Sequence, residues 1–401
     1  MIQRLQPRGT LASSVAQLVE GRFDPLLSQC KRVREKHIGL STGGYCQARQ
    51  HLPKLLVSRT MDELIERLRR RLLESERPQR AYLLDGSSLQ LEHEPELVQA
   101  FPPASNQHGP SHWPVVRMVV LHDLETGLAE RPYWGPLNGR QAVSEQALAE
   151  RAMAHVPAGS VLVGDRNFGI FSTAYSAQQA GHKTVLRLTA IRAKARMGGP
   201  IARPGDYAVR WRASRWDGRK KNPQQLQPWP ADASVEGRLI ACRVGRGQHQ
   251  QWLYLFTTTS LPVEEVVALY GRRWRIETDL RSLKQTVRLY RICAHSADMM
   301  EKELLVAVMA YNLVRAIMFQ AAQRAQIDPR QLSFTYACNI VLDSYPEVLA
   351  ARTVKQQQQK LDRMIDLVAR CRLPRRTKRR SYPREVWGRG YRFPIKRREK
   401  N

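Results

Sequence analysis

The sequence lacks the features that indicate a secreted, zinc-binding or membrane-spanning protein. Its six cysteines are scattered and form no C-x-x-C pair, so they indicate neither a zinc site nor a disulfide framework. The opening MIQRLQPRGT contains no apolar stretch of the kind that a secretory signal needs. The most apolar stretch, residues 304–319, is interrupted by Tyr311, Asn312 and Arg315 and is too short and too polar to span a bilayer. We therefore expect a cytoplasmic protein without a membrane segment.

Acidic residues are also scarce. The chain of 401 residues has 36 Asp plus Glu against 65 Lys plus Arg, for a formal net charge of +29. Such an excess repels itself unless a polyanion is close, so nucleic acid is the expected partner. A membrane surface is the rival interpretation, but no basic amphipathic helix stands apart from the others. Hydrophobic residues make up 42% of the chain, enough for a packed core.

Two aspartates follow short apolar segments in an order typical of an RNase H-like sheet. Residues 81–85 alternate as in a strand that ends at Asp85, before a predicted turn over residues 86–88. Strands at 115–121 and 127–134 and a helix at 143–154 are expected next, and a strand at 160–164 then ends at Asp165. For either aspartate alone, a turn cap is as good an explanation as a metal ion. The two together predict an α/β fold with an RNase H-like catalytic core.

Changes in composition along the chain predict that this core is interrupted. Gly, Pro, Arg and Trp become frequent after residue 190, and the last thirty residues hold thirteen Lys or Arg against two Glu. Such a tail cannot build a core, so we expect it to contact DNA phosphates without sequence preference. In chain order the predicted regions are a helical N-terminal DNA-binding region at 1–76, the first part of the core at 77–190, a β-rich insertion at 191–258, the second part of the core at 259–322, a helical C-terminal region at 323–371 and a basic tail at 372–401.

The predicted helix after Pro53 has an arginine-rich side. Thr60 and Glu63 have the spacing of a capping box, so the helix is expected to begin at Thr60. Its arginines either form an ordinary solvated face or contact DNA, and the charge of the whole chain favours DNA. The arginines in question are Arg67, Arg69, Arg70 and Arg71.

The segment YGRRWRIETDLRSLK has the most specific pattern in the chain. It places Tyr270, Arg273, Glu277 and Lys284 at spacings of three, four and seven residues. At about 100° per residue these four side chains share one face of a helix. The plain alternative is a surface helix with an ion pair between Arg273 and Glu277. One acid among so many bases, flanked by Trp and Tyr, favours a site for metal and phosphate.

Phosphodiester cleavage requires this combination of residues. Two Mg²⁺ ions roughly 3.5–4 Å apart stabilise the attacking and the leaving oxygen atoms of an in-line displacement. Hard cations need oxygen ligands. Asp85, Asp165 and Glu277 are therefore the predicted catalytic residues and metal ligands, with Mn²⁺ able to substitute for Mg²⁺.

These residues amount to a family resemblance. The chain resembles the DDE transposases of bacterial insertion sequences, in the insertion-sequence-4 type defined by the signature Y-x2-R-x3-E-x6-K. The segment VLVGDRNFG, around Asp165, is similar to the family's second-Asp block, in which an arginine, here Arg166, follows the aspartate. AYLLDGSSLQL, around Asp85, resembles the first-Asp strand. Residues 41–53 and 310–315 are also similar to family segments, so the resemblance covers most of the chain.

The resemblance implies a mechanism and partners. A homodimer holds both ends of the mobile element in a synaptic complex, and the DNA partners are terminal inverted repeats and target DNA. Water nicks the strand in a metal-dependent step and frees a 3′-hydroxyl, which then attacks DNA, through a hairpin in the better-understood relatives. No covalent enzyme intermediate is implied. Apart from the resemblance, the phenol and the cations of the signature, Tyr270, Arg273 and Lys284, are predicted to hold DNA phosphates on either side of the scissile bond. Arg166 is a further predicted DNA contact.

Trp252 has two interpretations of equal weight. In relatives that form hairpins, a Trp on the strand before the signature helix stacks on a flipped base. Trp252 lies 25 residues before Glu277 on a predicted strand, where it could do the same. The alternative is a core tryptophan in a buried strand.

Two other classes of function remain open at this level. One is an RNase H-like structure-specific nuclease without strand transfer, which the four-residue signature and the long insertion disfavour. The other is a catalytically silent DNA-binding protein derived from a transposase, which the presence of all three acids disfavours.

Overall fold

An eight-stranded mixed β-sheet with helices on both faces forms the centre of the protein. The computed structural model describes residues 49–72, 80–107, 109–213, 229–230, 232–245, 250–290 and 292–374. The strands are β1 Ala81–Gln90, β2 Ser105–Asn106, β3 Gly109–Pro110, β4 Val115–Asp123, β5 Tyr133–Pro136, β6 Val161–Gly164, β7 Lys183–Leu188, β8 Gly205–Arg212, β9 Ser234–Val244 and β10 Gln251–Thr257. β2 and β3 form a separate hairpin.

Helices occupy most of the rest of the described chain. They are α1 Lys54–Leu72, α2 Pro95–Ala100, α3 Glu145–Met153, α4 Phe171–Gln179, α5 Ala190–Met197, α6 Val263–Gly271, α7 Arg275–Arg281, α8 Ala297–Arg324, α9 Phe334–Leu349 and α10 Val354–Ala369. Ser or Thr side chains cap several of them by accepting a hydrogen bond from the first turn, as Ser144 does for α3.

The sheet combines a parallel centre with antiparallel edges. Its strand order is β5-β4-β1-β6-β7-β10-β9-β8. β1, β6 and β7 are parallel neighbours, whereas β4 and β5 on one side and β10, β9 and β8 on the other pair antiparallel. The predicted insertion therefore supplies three strands that extend the same sheet rather than a separate layer.

Each face of the sheet buries a different group of helices. One face packs Tyr82 and Leu84 of β1 against α3 and α4, with residues such as Leu148 and Phe171 in the same core. On the other face Leu83 packs among the apolar residues of α6 and α7. Because side chains alternate along a strand, Asp85 belongs to the face of Leu83, the one that α6 and α7 cover. The α/β class that the sequence predicts is confirmed.

The predicted turn after Asp85 is wrong. β1 continues through residues 86–88 to Gln90, and this extension pairs with β4, with Gly86 opposite Val119 and Ser88 opposite Arg117. Gly and Ser at these positions indicate a turn by local preference. The ladder to β4 supplies hydrogen bonds that a local pattern does not reveal, so Asp85 lies within a strand rather than at its end.

The predicted start of α1 is also wrong. The helix begins at Lys54, directly after Pro53, and Thr60 lies inside it, where its hydroxyl donates to the Leu56 carbonyl at 2.8 Å. A Ser or Thr within a helix commonly bonds back in this way. The start is set instead by Pro53, whose carbonyl accepts from the amides of Leu56 and Val57.

Three of the arginines of α1 make intramolecular ion pairs. Arg67 pairs with Glu63, and Arg70 pairs with Glu66, each one helical turn away. Arg69 pairs with the buried Glu130. These contacts favour the structural interpretation of that face over the DNA-facing one.

Helix α8 is long and apolar enough to cross a membrane by length and composition alone. It is a core helix of this fold, since 56% of its most apolar stretch is buried. The polar residues that interrupt it are buried and satisfied: the Tyr311 hydroxyl donates to the Gly127 carbonyl at 2.9 Å, and the Asn312 side chain bonds both backbone groups of Ala129. The predictions for residues 1–48 and for the tail from 375 onward lie outside the described residues.

Candidate active site

The parallel pairing of β1 with β6 brings the two predicted aspartates together. Leu84 of β1 lies opposite Gly164 of β6, so Asp85 and Asp165 are each one residue beyond this pair. Neighbouring strands are about 4.8 Å apart, so the two carboxylates lie next to each other at the carboxyl end of β6. The sequence separation of 80 residues is closed by strand pairing alone.

The loop after β6 is held closely against β7. A side chain at Gly169 would place a Cβ only 2.1 Å from the carbonyl oxygen of Arg187, so glycine is required there. Arg192 of α5 donates to the carbonyls of Arg166 at 2.8 Å and Gly169 at 3.0 Å. These contacts fix the backbone that carries Asp165 and leave the Arg166 side chain exposed.

Asp85 is held in a setting that opposes its ionisation. Its pKa is raised from 3.8 to about 6, chiefly by burial and also by the nearby Asp165 carboxylate. The amide of Gly86, which donates to Asp85 Oδ1 at 2.8 Å, and the guanidinium of Arg273 act in the opposite direction. A cation placed between the two aspartates would relieve this repulsion.

This setting predicts a pH dependence of stability in metal-free protein. Between pH 3.8 and about 6 the folded chain keeps a proton on Asp85 that the unfolded chain has lost, so the group's effect on stability becomes less favourable as the pH rises. Asp85→Asn should therefore be more stable than the parent protein at pH 7, by about 1–3 kcal/mol. The two stabilities should be most alike near pH 4. Urea unfolding in EDTA across this range measures the difference. A variant that is less stable at pH 7 contradicts the expectation.

The signature segment is not one continuous α-helix. α6 ends at Gly271, residues 272–274 form a 3₁₀ turn, α7 covers Arg275–Arg281, and residues 282–286 form a π-helix. The prediction of one uniform helical face is therefore wrong in detail. The apolar stripe is as expected, because Ile276 and Leu280 pack in the core below the sheet face.

Within the signature, Arg273 and Lys284 reach toward the aspartates and β1. Arg273 donates to Glu277 Oε1 at 2.8 Å, and its guanidinium acts electrostatically on both Asp85 and Asp165. Lys284 reaches across to β1, where its ammonium donates to Ser87 Oγ at 3.1 Å and the Ser88 carbonyl at 3.2 Å. Arg273 therefore lies close to both aspartates, whereas the part that Glu277 plays at the site stays a prediction.

Tyr270 and Glu277 differ in their exposure. Tyr270 packs among the apolar side chains under α6, with 8% of the residue exposed. The Glu277 side chain is 57% exposed and forms an ion pair with Arg273. Among the residues that the structure describes, no three His, Cys, Asp or Glu side chains are close enough to hold a metal ion together. The expected cluster of three acids is not assembled, because Glu277 points to Arg273.

Glu145 and Asn167 lie at the site but were not among the predicted residues. The Asn167 side-chain amide donates to Glu145, and the Asn167 backbone amide donates to Asp165 Oδ1 at 2.8 Å. Burial raises the pKa of Glu145, and Asp165 adds to that rise, although Arg117 opposes it. The sequence marks Glu145 only as the residue after a helix-capping serine. Many helices begin in this way, so the pattern does not indicate a place at the site.

A buried cluster of charges anchors α7 from below. Asp279, two residues after Glu277, is completely buried and pairs with Arg315 of α8 and with Arg330, which it contacts at 2.6 Å. Arg330 also donates to the carbonyls of Leu124 and Asp123. Burial opposes the charge of Asp279, and the two guanidinium groups nevertheless hold its pKa below the ordinary range. This cluster fixes the rotation of the helix that presents Glu277.

Trp252 lies at the start of β10, on the sheet face opposite α6 and α7. Its ring is partly buried and stacks on Tyr254 at a centroid distance of 5.8 Å, and Arg243 lies over it at 5.2 Å. Because β10 runs antiparallel to β7, Trp252 lies toward the carboxyl ends of β6 and β7, the end of the sheet at which Asp165 also lies. Both interpretations of this residue, base stacking and core packing, stay open.

Three comparisons relate the chain to known proteins. The profile of the family described as "Transposase DDE domain" matches residues 76–313. The chain is 28% identical over 324 residues to "Transposase InsG for insertion sequence element IS4" from Escherichia coli (strain K12), which covers 78% of this chain and 68% of that relative. A cryo-EM structure of a piggyBac transposase synaptic complex with hairpin DNA is similar with a TM-score of 0.42 and 12% identity, over 92% of this chain and 73% of that one.

The family match decides what kind of protein this is. The matched segment covers more than half of the 401 residues, and Asp85, Asp165 and Glu277 all lie within it. Enzymes of this family use divalent metal ions to cleave DNA. The prediction from the Y-R-E-K signature is confirmed, and the chain belongs to the transposases with a DDE domain.

Proposed function

We propose that this transposase cleaves DNA at the ends of an insertion sequence and joins the freed 3′-hydroxyl to target DNA, at a site formed by Asp85, Asp165 and Glu277. The observation that carries the proposal is the pairing of β1 with β6, which puts Asp85 beside Asp165 under the influence of Arg273. Two neighbouring carboxylates with a cation close by, and a third acid on the covering helix, suit phosphodiester chemistry.

The proposed catalytic core is RNase H-like. In support, strands β5, β4, β1, β6 and β7 are adjacent in that order, with the first three antiparallel and the last three parallel. The proposed insertion, residues 191–258, then contributes the strands beyond β7. In this division 1–76 is a DNA-binding region, and 323–371 is a helical C-terminal region.

The chemistry of the three side chains fits a divalent cation. Asp85 and Asp165 would supply two neighbouring oxygen ligands, and the exposed Glu277 side chain would join them by turning away from Arg273. Two Mg²⁺ ions are expected, with Mn²⁺ able to replace them. When bound, such ions stabilise negative charge on the attacking and leaving oxygens of the phosphodiester.

The cationic side chains around the acids would bind DNA. We assign phosphate contacts to Arg166, Arg273 and Lys284, since Arg166 is exposed and Lys284 extends along β1 past Asp85. Tyr270 would contact the DNA only with its exposed edge. The proposed assembly is a homodimer that holds both terminal inverted repeats in the cytoplasm.

The test uses the purified full-length protein and DNA that carries the terminal repeats flanking its gene. Transposition predicts metal-dependent nicking at the repeat ends, followed by joining of the labelled 3′ end to a target plasmid. Cleavage of branched DNA irrespective of the repeats, with no joined product, supports a structure-specific nuclease instead. Specific binding without cleavage in Mg²⁺ or Mn²⁺ supports a catalytically silent DNA-binding protein.

The same assay separates the two interpretations of Trp252. If its ring stacks on a flipped base, Trp252→Ala should slow hairpin formation by about ten- to hundredfold, because base–aromatic stacking is worth about 1–3 kcal/mol, while first-strand nicking continues. If Trp252 only packs in the core, both steps should fall together and the melting temperature should drop. Tyr254→Leu, a change at the neighbouring ring of the same face, is the matched control.

A further inference from the structure

A further carboxylate, that of Glu145, lies near the two aspartates. Glu145 is the first residue of α3, whose cap Ser144 accepts a hydrogen bond from the Ala147 amide at 3.1 Å. The Glu145 side chain lies directly over Gly86, because a Cβ added at Gly86 would be 2.7 Å from Glu145 Oε1. Gly86 follows Asp85, so Glu145 packs on the strand next to the first aspartate of the site.

Glu145 also holds the loop that follows the second aspartate. It accepts a hydrogen bond from the side-chain amide of Asn167, whose backbone amide donates to Asp165 Oδ1 at 2.8 Å. The neighbouring Gln146 donates to the Asn167 carbonyl at 3.0 Å and to its Oδ1 at 2.9 Å. Two consecutive residues of α3 thus fix Asn167, and Asn167 in turn orients the Asp165 carboxylate.

The position of Glu145 is unfavourable for an acid without a role at the site. Acids in the first turn of a helix gain about 0.3–1 kcal/mol from the helix dipole, and that alone explains many of them. Here the side chain is half-buried and close to Asp165, a like charge. A first-turn acid that only serves the dipole would turn toward solvent, as Glu264 of α6 does.

We propose that Glu145 is a positioning residue of the transposase, which holds Asn167 and, through it, the Asp165 carboxylate in the orientation that metal binding requires. Gly86 is part of the same arrangement, because a side chain at that position would displace Glu145. The inference rests on the proposed function, in which Asp165 is a metal ligand. Because Glu145 acts by accepting a hydrogen bond, glutamine can replace it in part and alanine cannot.

The experiment uses full-length protein with the substitutions Glu145→Ala, Glu145→Gln and Asn167→Ala and the double substitution of both residues by Ala. Direct Mn²⁺ binding is measured by electron paramagnetic resonance, cleavage is measured on a terminal-repeat DNA, and thermal unfolding reports folding. Glu145→Ala and Asn167→Ala should each weaken Mn²⁺ binding and cleavage by about ten- to hundredfold, the usual effect of losing a group that orients a metal ligand. The double variant should be no worse than either single one. Glu145→Gln should retain most of the Mn²⁺ binding and most of the cleavage activity. The control is Glu264→Ala, which removes an exposed acid from the first turn of another helix.

Each contrary outcome overturns a stated part of the inference. Normal Mn²⁺ binding and cleavage by Glu145→Ala leaves the residue with no role beyond its helix. Multiplied losses in the double variant mean that Glu145 does not act through Asn167, and a loss in Glu145→Gln as large as in Glu145→Ala means that its charge is what matters. If Glu145→Ala does not fold, the contrast between Glu145→Gln and Asn167→Ala decides. Asp165→Asn distinguishes a failure of this inference from a failure of the proposed function. Full Mn²⁺ binding and cleavage by that variant would overturn the proposed function itself.

Discussion

Replacing Asp85 or Asp165 by Asn, or Glu277 by Gln, should reduce DNA cleavage by at least about a thousandfold. Each change removes a negatively charged oxygen ligand but keeps the size of the side chain. Loss of metal-assisted charge stabilisation worth about 4 kcal/mol corresponds to a factor of this size. Gel assays of strand nicking in Mg²⁺ and in Mn²⁺ measure it, and retained binding to the terminal repeat shows that the protein is folded.

The control for these variants is an acid of similar exposure outside the site. Asp362→Asn removes a carboxylate of α10 that pairs with Arg324 at the surface, and it should cleave DNA at the parent rate. Normal nicking by any one of the three active-site variants would remove that residue from the proposed set. Glu277 is the most informative of the three, because in the structure its carboxylate contacts Arg273 rather than the aspartates.

Asp279→Ala should destabilise the protein by about 3–5 kcal/mol, the usual cost of removing one partner from a buried ion pair. The substitution leaves Arg315 and Arg330 buried without their counter-charge, and their side chains are only 6% and 7% exposed. The affected contacts join α7 to α8 and to the carbonyls after β4, so the rotation of the helix that carries Glu277 should also be lost. Urea unfolding at neutral pH measures the change.

The matched control is an ion pair of the same residue types at the surface. Arg324→Ala breaks contacts with Asp362 and Asp366, but the Arg324 side chain is 44% exposed, so the loss should be within about 1 kcal/mol. If both variants lose an equal, small amount of unfolding free energy, the buried cluster contributes no more to stability than a solvated ion pair. A further comparison is Asp279→Asn, which keeps the shape and removes only the charge.

Local sequence patterns predicted several helices and strands well, but they did not predict boundaries and helical pitches that depend on tertiary contacts. The strand at β6, the helix at α3 and the apolar stripe of α7 follow from periodicity that tertiary structure did not override. The turn after Asp85 and the start of α1 at Thr60 were wrong, because a partner strand and a preceding proline outweighed the local preferences of Gly, Ser and Thr. The 3₁₀ and π segments around α7 have no signal in a pattern that assumes a constant helical pitch.

The sequence by itself determined the family, since the spacing of Tyr270, Arg273, Glu277 and Lys284 along one segment is a local property that needs no partner. The three acids are its prediction. The tertiary structure alone decided which residues surround those acids. Strand pairing brought Asp85 to Asp165 across 80 residues, and helix packing placed Glu145 over Gly86 and Asn167. Contacts of this kind join positions far apart in sequence, and one chain without its homologues contains no periodic or compositional trace of them. For the same reason a hydrogen-bonded glutamate in a first helical turn looks like any other helix start until the sheet beneath it is seen.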